Sequence, residues 1–362
     1  MKKNKNILWS GPLFDPSGYG SASRLYIRSF FSIGIKPYLR ISSYTKKIIN
    51  NYQDLPLRTE IDVLERYKDV PDIFINHITP DIAFTINAPN NIIFTVWETD
   101  CIPFTFVNKC NNFDKIITAS AYSKNAFING KVNKPVEIIP HPIVVRTYKV
   151  DPVLVNKFKD KFVFFSNFEW HLGKGYDILI PAFSKAFESN KDVVLIIKTY
   201  NMDVAGKYNK VSKIKELKGN KEFPSIILID GLISEDNLYN LYSLCNIYVS
   251  LSRREGFGLC AAEAVAFNKP VIAPSIGGHI EFLKYYNSFI SIESNMREVS
   301  KNIELSRILY RGQKWVEPDF DSTVEMLRKS YYDYSSFNSD NTTILADFSL
   351  ETIGRKFIKA IE

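Results

Sequence analysis

Along the 362-residue chain, short runs of apolar and β-branched residues alternate with stretches whose apolar positions recur at helical spacing. In the first half the runs are NILWS (6–10), KPYLRI (36–41), DIFIN (72–76), NIIFTVW (91–97), KIITAS (115–120) and VEIIP (136–140). Helical stretches lie between them at 21–33 and 121–129. The pattern restarts with FVFFSN (162–167), VVLIIKT (193–199), SIILID (225–230), NIYVSL (246–251), PVIAP (270–274) and FISI (289–292). Helices are predicted over 176–188, 207–218, 234–244, 257–267 and 295–308. Near-continuous apolar strands separated by helices predict buried parallel strands in doubly wound sheets. The break falls at HPIVVRTYKVDP (141–152), where two prolines flank a stretch with a polar end. The prediction is an α/β chain of two Rossmann-like domains facing a cleft, over 1–143 and 151–340. The tail SLETIGRKFIKAIE (349–362) reads as a capped amphipathic helix.

Composition adds bulk and a mild charge. Hydrophobic residues make up 45% and aromatics 14%, with 26 Phe and 20 Tyr, so the cores should be large-ringed. The net charge of +7 is concentrated in residues 1–143, which carry 17 basic against 12 acidic side chains. Such an excess suits an anionic ligand, an anionic membrane face or a nucleic-acid groove, and equally an ordinary lysine-rich surface. No nucleic-acid motif supports the groove. Cys101, Cys110, Cys245 and Cys260 lack CxxC spacing, which argues against a zinc site or disulfide framework and for a reducing cytosol. The N-terminal apolar run is too short for a signal peptide, and no run of about 18 apolar residues spans a bilayer. The expectation is a cytoplasmic protein with a possible peripheral membrane contact.

The chemistry concentrates in EGFGLCAAE (255–263), which follows the strand NIYVSL through SRR. In open α/β sheets ligands sit beyond the carboxyl ends of strands, where helices begin. Gly256 and Gly258, around Phe257, let backbone approach a ligand, and the helix opening at Leu259 offers amides and a partial positive charge to a phosphate. Glu255 and Glu263 cannot help hold phosphate, but they accept hydrogen bonds from hydroxyls. Phosphate donors beside hydroxyl acceptors point to a nucleotide sugar.

Glu255 and Glu263, seven residues apart within EGFGLCAAEA, resemble the E-x7-E motif of retaining GT-B glycosyltransferases, especially glycosyltransferase family 4. NKPVIAPSIGGHIEFL (268–283), FFSNFEWHLGKGYDILIPAF (164–183) and ILIDGLISEDNLYNLYSLCNIYVSLSRREGFG (227–258) are similar to the same family. GPLFDPSGYGSASR (11–24), VWETDCIP (96–103) and ITASAYSKNAF (117–127) resemble its N-terminal half more weakly. The resemblance implies a GT-B fold, with a C-terminal helix (about 345–362) packing back on the N-terminal domain. It implies transfer of a sugar from a UDP- or GDP-linked donor to a glycan, lipid-linked glycan or protein-glycan hydroxyl, with retention. No separate cofactor is implied. Glu255 is then expected at the transferred sugar and Glu263 at the ribose, with Asn167 and the turn Gly256–Leu259 also on the donor. Lys174 is expected to neutralise the diphosphate, and His77 to lie near the sugar as a catalytic group. The loop of Gly18, Tyr19 and Gly20 is expected to face donor phosphate or acceptor, with Glu98 on the acceptor side.

The chain departs from the family at Phe168, where many members carry an arginine six residues before the lysine. Arg254 or Arg253 could supply the second cation from the opposite loop. Plain structural roles also fit: Glu263 as a helix carboxylate, Lys174 as a surface lysine, GYG as a turn, His77 as a satisfied histidine, His141 as a hinge and Trp97 as core. The D-x-D at 319–321 reads as a helix cap from Asp321 or Ser322, so no metal site is expected. A nucleotide-sugar epimerase on the same scaffold and an inactive sugar-nucleotide-binding protein are the rival readings.

Overall fold

The computed structural model describes residues 5–42, 64–65, 69–200, 209–219, 224–299 and 309–362. The chain divides into two compact units: Met1–Val144, Glu298–Lys314 and Leu345–Glu362 in the first, Val145–Arg297 and Trp315–Ile344 in the second. The first unit holds β1 (Ile7–Pro12), β2 (Tyr38–Ser42), β3 (Ile73–His77), β4 (Asn90–Phe94), β5 (Lys115–Thr118) and β6 (Val136–Ile138). They form one sheet in the order β2-β1-β3-β4-β5-β6, parallel throughout. The second holds β7 (Phe162–Glu169), β8 (Val193–Tyr200), β9 (Ser225–Asp230), β10 (Ile247–Val249), β11 (Val271–Pro274) and β12 (Phe289–Ile292). Their order, β12-β11-β10-β7-β8-β9, is again parallel throughout. These two sheets with interleaved helices are the expected pair of Rossmann-like domains of a GT-B protein.

Both strand faces are apolar because helices cover both. In the second unit Phe164, Leu195 and Ile197 share a core with Ile180, Phe183, Val324 and Leu327. On the other face, Phe165 packs on Tyr242 and Tyr248 at 5.0 and 5.9 Å between ring centroids. In the first unit Trp9 and Phe94 pack with Tyr26 of the helix Gly18–Ser32. The C-terminal helix Leu350–Ile361 returns to this unit as expected. Ser349 caps it, and Phe357 meets Phe30 and Tyr26 at 5.1 and 5.4 Å.

Strand order reverses between β1 and β3 in one sheet and between β7 and β10 in the other. At such a point the two connections leave in opposite directions and open a crevice at the carboxyl ends of the strands.

Several expectations need correction. Instead of a helix beginning at 295, Ser294–Glu298 is a strand paired with Lys314–Pro318, because the pairing overrides weak local preference; 300–308 lie outside the described residues. The helix expected at 207–218 is Lys210–Lys218, its first residues also lying outside. Glu298–Lys314 falls within the span expected for the second domain but groups with the first. Asp319, not Asp321 or Ser322, caps the helix Phe320–Tyr332 by accepting from the Ser322 amide at 2.7 Å. Asp321 instead pairs with Lys185 at 2.9 Å. Trp97 and Glu98 lie beyond β4 rather than ending it. All four cysteines are free thiols. Among the described residues no helix is long and apolar enough to cross a membrane.

Candidate functional site

The two chain segments that flank the β7–β10 reversal supply the charged groups of the second unit. After β7 the chain turns through His171–Gly175 into the helix Tyr176–Ala186. After β10 it runs through Arg253–Gly258 into the helix Leu259–Ala266. Lys174 Nζ lies 3.1 Å from Glu255 Oε2 and 3.4 Å from the Arg254 carbonyl. The expected lysine and glutamate thus meet across the switch point.

The turn before Leu259 is built by backbone proximity. Gly258 has φ +96, a left-handed conformation that strains other residues. A Cβ on Gly278 would sit 2.1 Å from the Gly256 carbonyl oxygen, so the SIGG segment packs backbone to backbone against the turn. The Gly278 amide donates to the Glu255 carbonyl at 2.8 Å.

Helix starts distinguish this place from the rest of the fold. Of the eight described helices with at least eight residues, six have an N-cap side chain that accepts from a first-turn amide: Ser17, Ser120, Asn209, Ser234, Asp319 and Ser349. The two with no side-chain cap are Tyr176–Ala186 and Leu259–Ala266, both entered through a left-handed glycine. They are the two that flank the β7–β10 reversal. First-turn amides without side-chain acceptors, aligned with the helix dipole, suit an anion.

The two arginines divide their roles. Arg253 is 5% exposed and its fork is taken: Asp177 accepts at 2.6 and 2.9 Å, Glu317 at 2.9 and 2.8 Å, and the Leu172 carbonyl at 2.7 Å. It is a strut between elements and has no donors to spare for a ligand. Arg254 lies over Gly173, where a Cβ would come within 2.5 Å of its Nε, and its guanidinium donates to His171 Nδ1 at 3.2 Å. Burial holds the His171 imidazole well below its ordinary pKa, reinforced by the Arg254 and Lys174 charges. Both cations thus act on the same imidazole. Phe168, which stands where the resemblance would place an arginine, is core beside Trp170.

Further along the second helix, burial pushes the Cys260 thiol up to about 12, helped by Glu263 and Glu255. Asn167 Nδ2 reaches Cys260 Sγ at 3.6 Å. His279 Nε2 bonds the Pro274 carbonyl at 2.7 Å, and burial lowers its pKa. Sequence reasoning passed over Lys198 on β8, which is 5% exposed and near enough to Cys260, Glu263 and Asp230 to feel their charges. Burial, the dominant influence, lowers its pKa. A lone lysine in the apolar run VVLIIKTY was the available signal.

In the first unit the structure gathers Tyr19, His77 and Glu98 near the β1–β3 reversal. Tyr19 Oη lies 3.0 Å from Thr95 Oγ1 and accepts from the Val96 amide at 3.3 Å, with Glu98 close enough to act on its charge. The His77 ring is 5.1 Å from Tyr19, stacks on Phe94 at 4.7 Å, and shares a hydrogen bond with Ser23 Oγ through Nδ1 at 2.7 Å. It ends β3 rather than following it, and it is 1% exposed, so burial keeps it neutral. Gly18 opens the helix, but Gly20 is explained by packing: a Cβ there would lie 2.1 Å from the Asp15 carbonyl oxygen, and its amide donates to Ser17 Oγ. His141 is tied into the same unit through Tyr26 Oη at 3.0 Å, and Trp97 is core against Phe106.

Residues 149–306 match the family model for glycosyl transferases group 1. The uncharacterized glycosyltransferase MJ1178 of Methanocaldococcus jannaschii is 28% identical over 242 residues, 64% of this chain and 63% of its own length. A lipopolysaccharide 1,2-N-acetylglucosaminetransferase of Salmonella typhimurium is 27% identical over 181 residues, 48% of this chain and 47% of its own. The chain thus spans less than two thirds of these relatives. Among solved structures, Anabaena Alr3699/HepE in complex with UDP and glucose superposes with a TM-score of 0.67 at 15% identity, covering 99% of both chains. The trehalose-6-phosphate synthase OtsA superposes with a TM-score of 0.58 at 12% identity, over 80% of this chain and 71% of that one. The structures establish the GT-B fold, and the sequence matches are to proteins named as glycosyltransferases.

Proposed function

We propose that the chain transfers a sugar from a UDP- or GDP-linked donor to an acceptor hydroxyl with retention of anomeric configuration. The observation that carries this is the Lys174–Glu255 pair, 3.1 Å apart, between the two long helices that lack side-chain caps. A cation beside a carboxylate matches the junction of a nucleotide sugar, where phosphate meets hydroxyl-bearing ring. Lys174, Arg254 and the amides of the Gly256–Leu259 turn take the diphosphate. Their fixed charge and dipoles act most strongly as the glycosidic bond breaks and the leaving group gains charge. Glu255 accepts from hydroxyls of the transferred sugar. Glu263 takes the ribose hydroxyls, with Asn167 alongside. In the first unit, Tyr19, neutral His77 and Glu98 serve the acceptor, offering hydrogen bonds rather than positive charge, and Gly18 and Gly20 shape their loop. No side chain is assigned as covalent nucleophile; attack comes on the face the diphosphate leaves, with a phosphate oxygen taking the hydroxyl proton. The basic excess of residues 1–143 suits a lipid-linked acceptor at an anionic membrane.

A panel of UDP- and GDP-sugars tests this by thermal stabilisation. A donor at 100 times its Kd should stabilise the native state by about 2.7 kcal/mol. Glu255→Gln should keep nucleotide binding and lower transfer by about 100-fold, as loss of one fixed transition-state contact does. NMR of the product's anomeric proton reads retention. Wild-type transfer rates in Glu255→Gln, or inversion at the anomeric carbon, would defeat the assignment.

A further inference from the structure

Lys198 is a deeply buried cation near this site that the roles above leave unused. It lies near the carboxyl end of β8, in register with Asn167 of β7. Phe164, Phe168, Leu195 and Ile197 share one core, so strand alternation puts Asn167 and Lys198 on the opposite face. Asn167 touches Cys260 on that face, which carries the helix Leu259–Ala266. Lys198 is thus on the Glu263 side of the sheet, and it is 5% exposed. Among the described residues its ammonium makes no hydrogen bond or ion pair. Its contact is with the Tyr200 ring, at 4.7 Å from the centroid. Glu263 and Asp230 act on it without touching it. With the residue only 5% exposed, the ammonium has little room for water, and a ligand that supplies an acceptor there gains a charge-assisted hydrogen bond.

Topology says which part of a ligand would reach it. In a doubly wound sheet the diphosphate sits at the helix after the first strand, and the nucleoside runs outward over the end of the second. Here those strands are β7, followed by Lys174, and β8, which carries Lys198. Adjacent strands are about 4.8 Å apart, so Lys198 lies one strand further from the switch point than the Lys174 turn.

We propose that Lys198 sets the nucleotide specificity of the donor by donating to a keto oxygen of the base. Uracil and guanine present that oxygen where cytosine and adenine carry an amino group. An ammonium has three donors and no acceptor, so it meets an amino group with repulsion. The proposal rests on the donor-site reading above and adds the base that the site selects.

Titration calorimetry with UDP, GDP, CDP and ADP on the full chain tests it, using wild type, Lys198→Met and Lys198→Arg. Wild type should bind UDP or GDP at least about tenfold tighter than CDP and ADP, the worth of one charge-assisted hydrogen bond. Lys198→Met should weaken the preferred keto nucleotide by about tenfold or more and level the ranking, while Lys198→Arg keeps the order. The proposal is overturned if Lys198→Met retains wild-type affinities and ranking, or if wild type favours CDP or ADP. Should Lys198→Met fail to fold, the wild-type ranking and Lys198→Arg still decide. If wild type binds none of the four, the donor-site reading itself fails, which is a different outcome.

Discussion

Lowering the pH from 7.5 to 5.5 should destabilise the first unit by about 3 kcal/mol through two histidines. His77 is stacked on Phe94 and His141 is bonded to Tyr26, and burial depresses both pKa values, that of His141 to about 3. The unfolded chain titrates them near 6.5. Below that pH the unfolded state gains protons that the native state refuses, so stability falls as pH falls. The loss continues down to the folded pKa. At pH 5.5 an imidazole that stays neutral in the native state costs at most RT ln(1 + 10), a little over 1 kcal/mol, so the pair costs about 3 kcal/mol. Unperturbed carboxylates titrate mostly below this window. With an m value of about 3 kcal/mol per molar urea, the midpoint for this unit should drop by about 1 M. Urea melts at both pH values measure the shift, and the Hε1 NMR signals of the two histidines report their ionisation directly. An unchanged midpoint, or either folded imidazole titrating near 6.5, would refute the reasoning.

Three further outcomes follow from the packing. Arg253→Met strands the carboxylates of Asp177 and Glu317 and should destabilise the second unit by about 3–5 kcal/mol, read as a lower melting temperature. Gly278→Ala places a methyl 2.1 Å from the Gly256 carbonyl oxygen, so UDP and GDP binding should be lost in calorimetry even where circular dichroism shows a folded chain. Phe357→Ala should cost about 3–5 kcal/mol in denaturant melts of the first unit, because the ring fills the space between Phe30, Tyr26 and Trp9.

Much of the sheet architecture was legible because buried parallel strands need unbroken apolar runs, and these stand out as VVLIIKT and SIILID do. The Lys174–Glu255 encounter was legible only through family likeness, since 81 residues separate the partners and no local pattern joins them. Other features depend on tertiary proximity. Arg253 and Arg254 are adjacent in sequence, yet one is consumed by Asp177 and Glu317 while the other faces His171. Gly20 looks like part of a ligand loop until the Asp15 carbonyl is seen against it. Lys198 was read as one more strand residue because alternation alone does not say what covers each face. The strand Ser294–Glu298 was missed because its partner, Lys314–Pro318, makes it extended.

The interleaved division of the chain bears on how its halves could be exchanged or isolated. The polypeptide passes from one unit to the other at 144/145, 297/298, 314/315 and 344/345. A fragment cut to the matched span, 149–306, would lack Val324 and Leu327, which fill the core beneath Tyr176–Ala186. Such a piece would bare an oily helix face and clump in solution. A chimaera that exchanges the whole second unit between relatives must splice at four junctions, and recombination at one crossover leaves the first unit assembled from both parents.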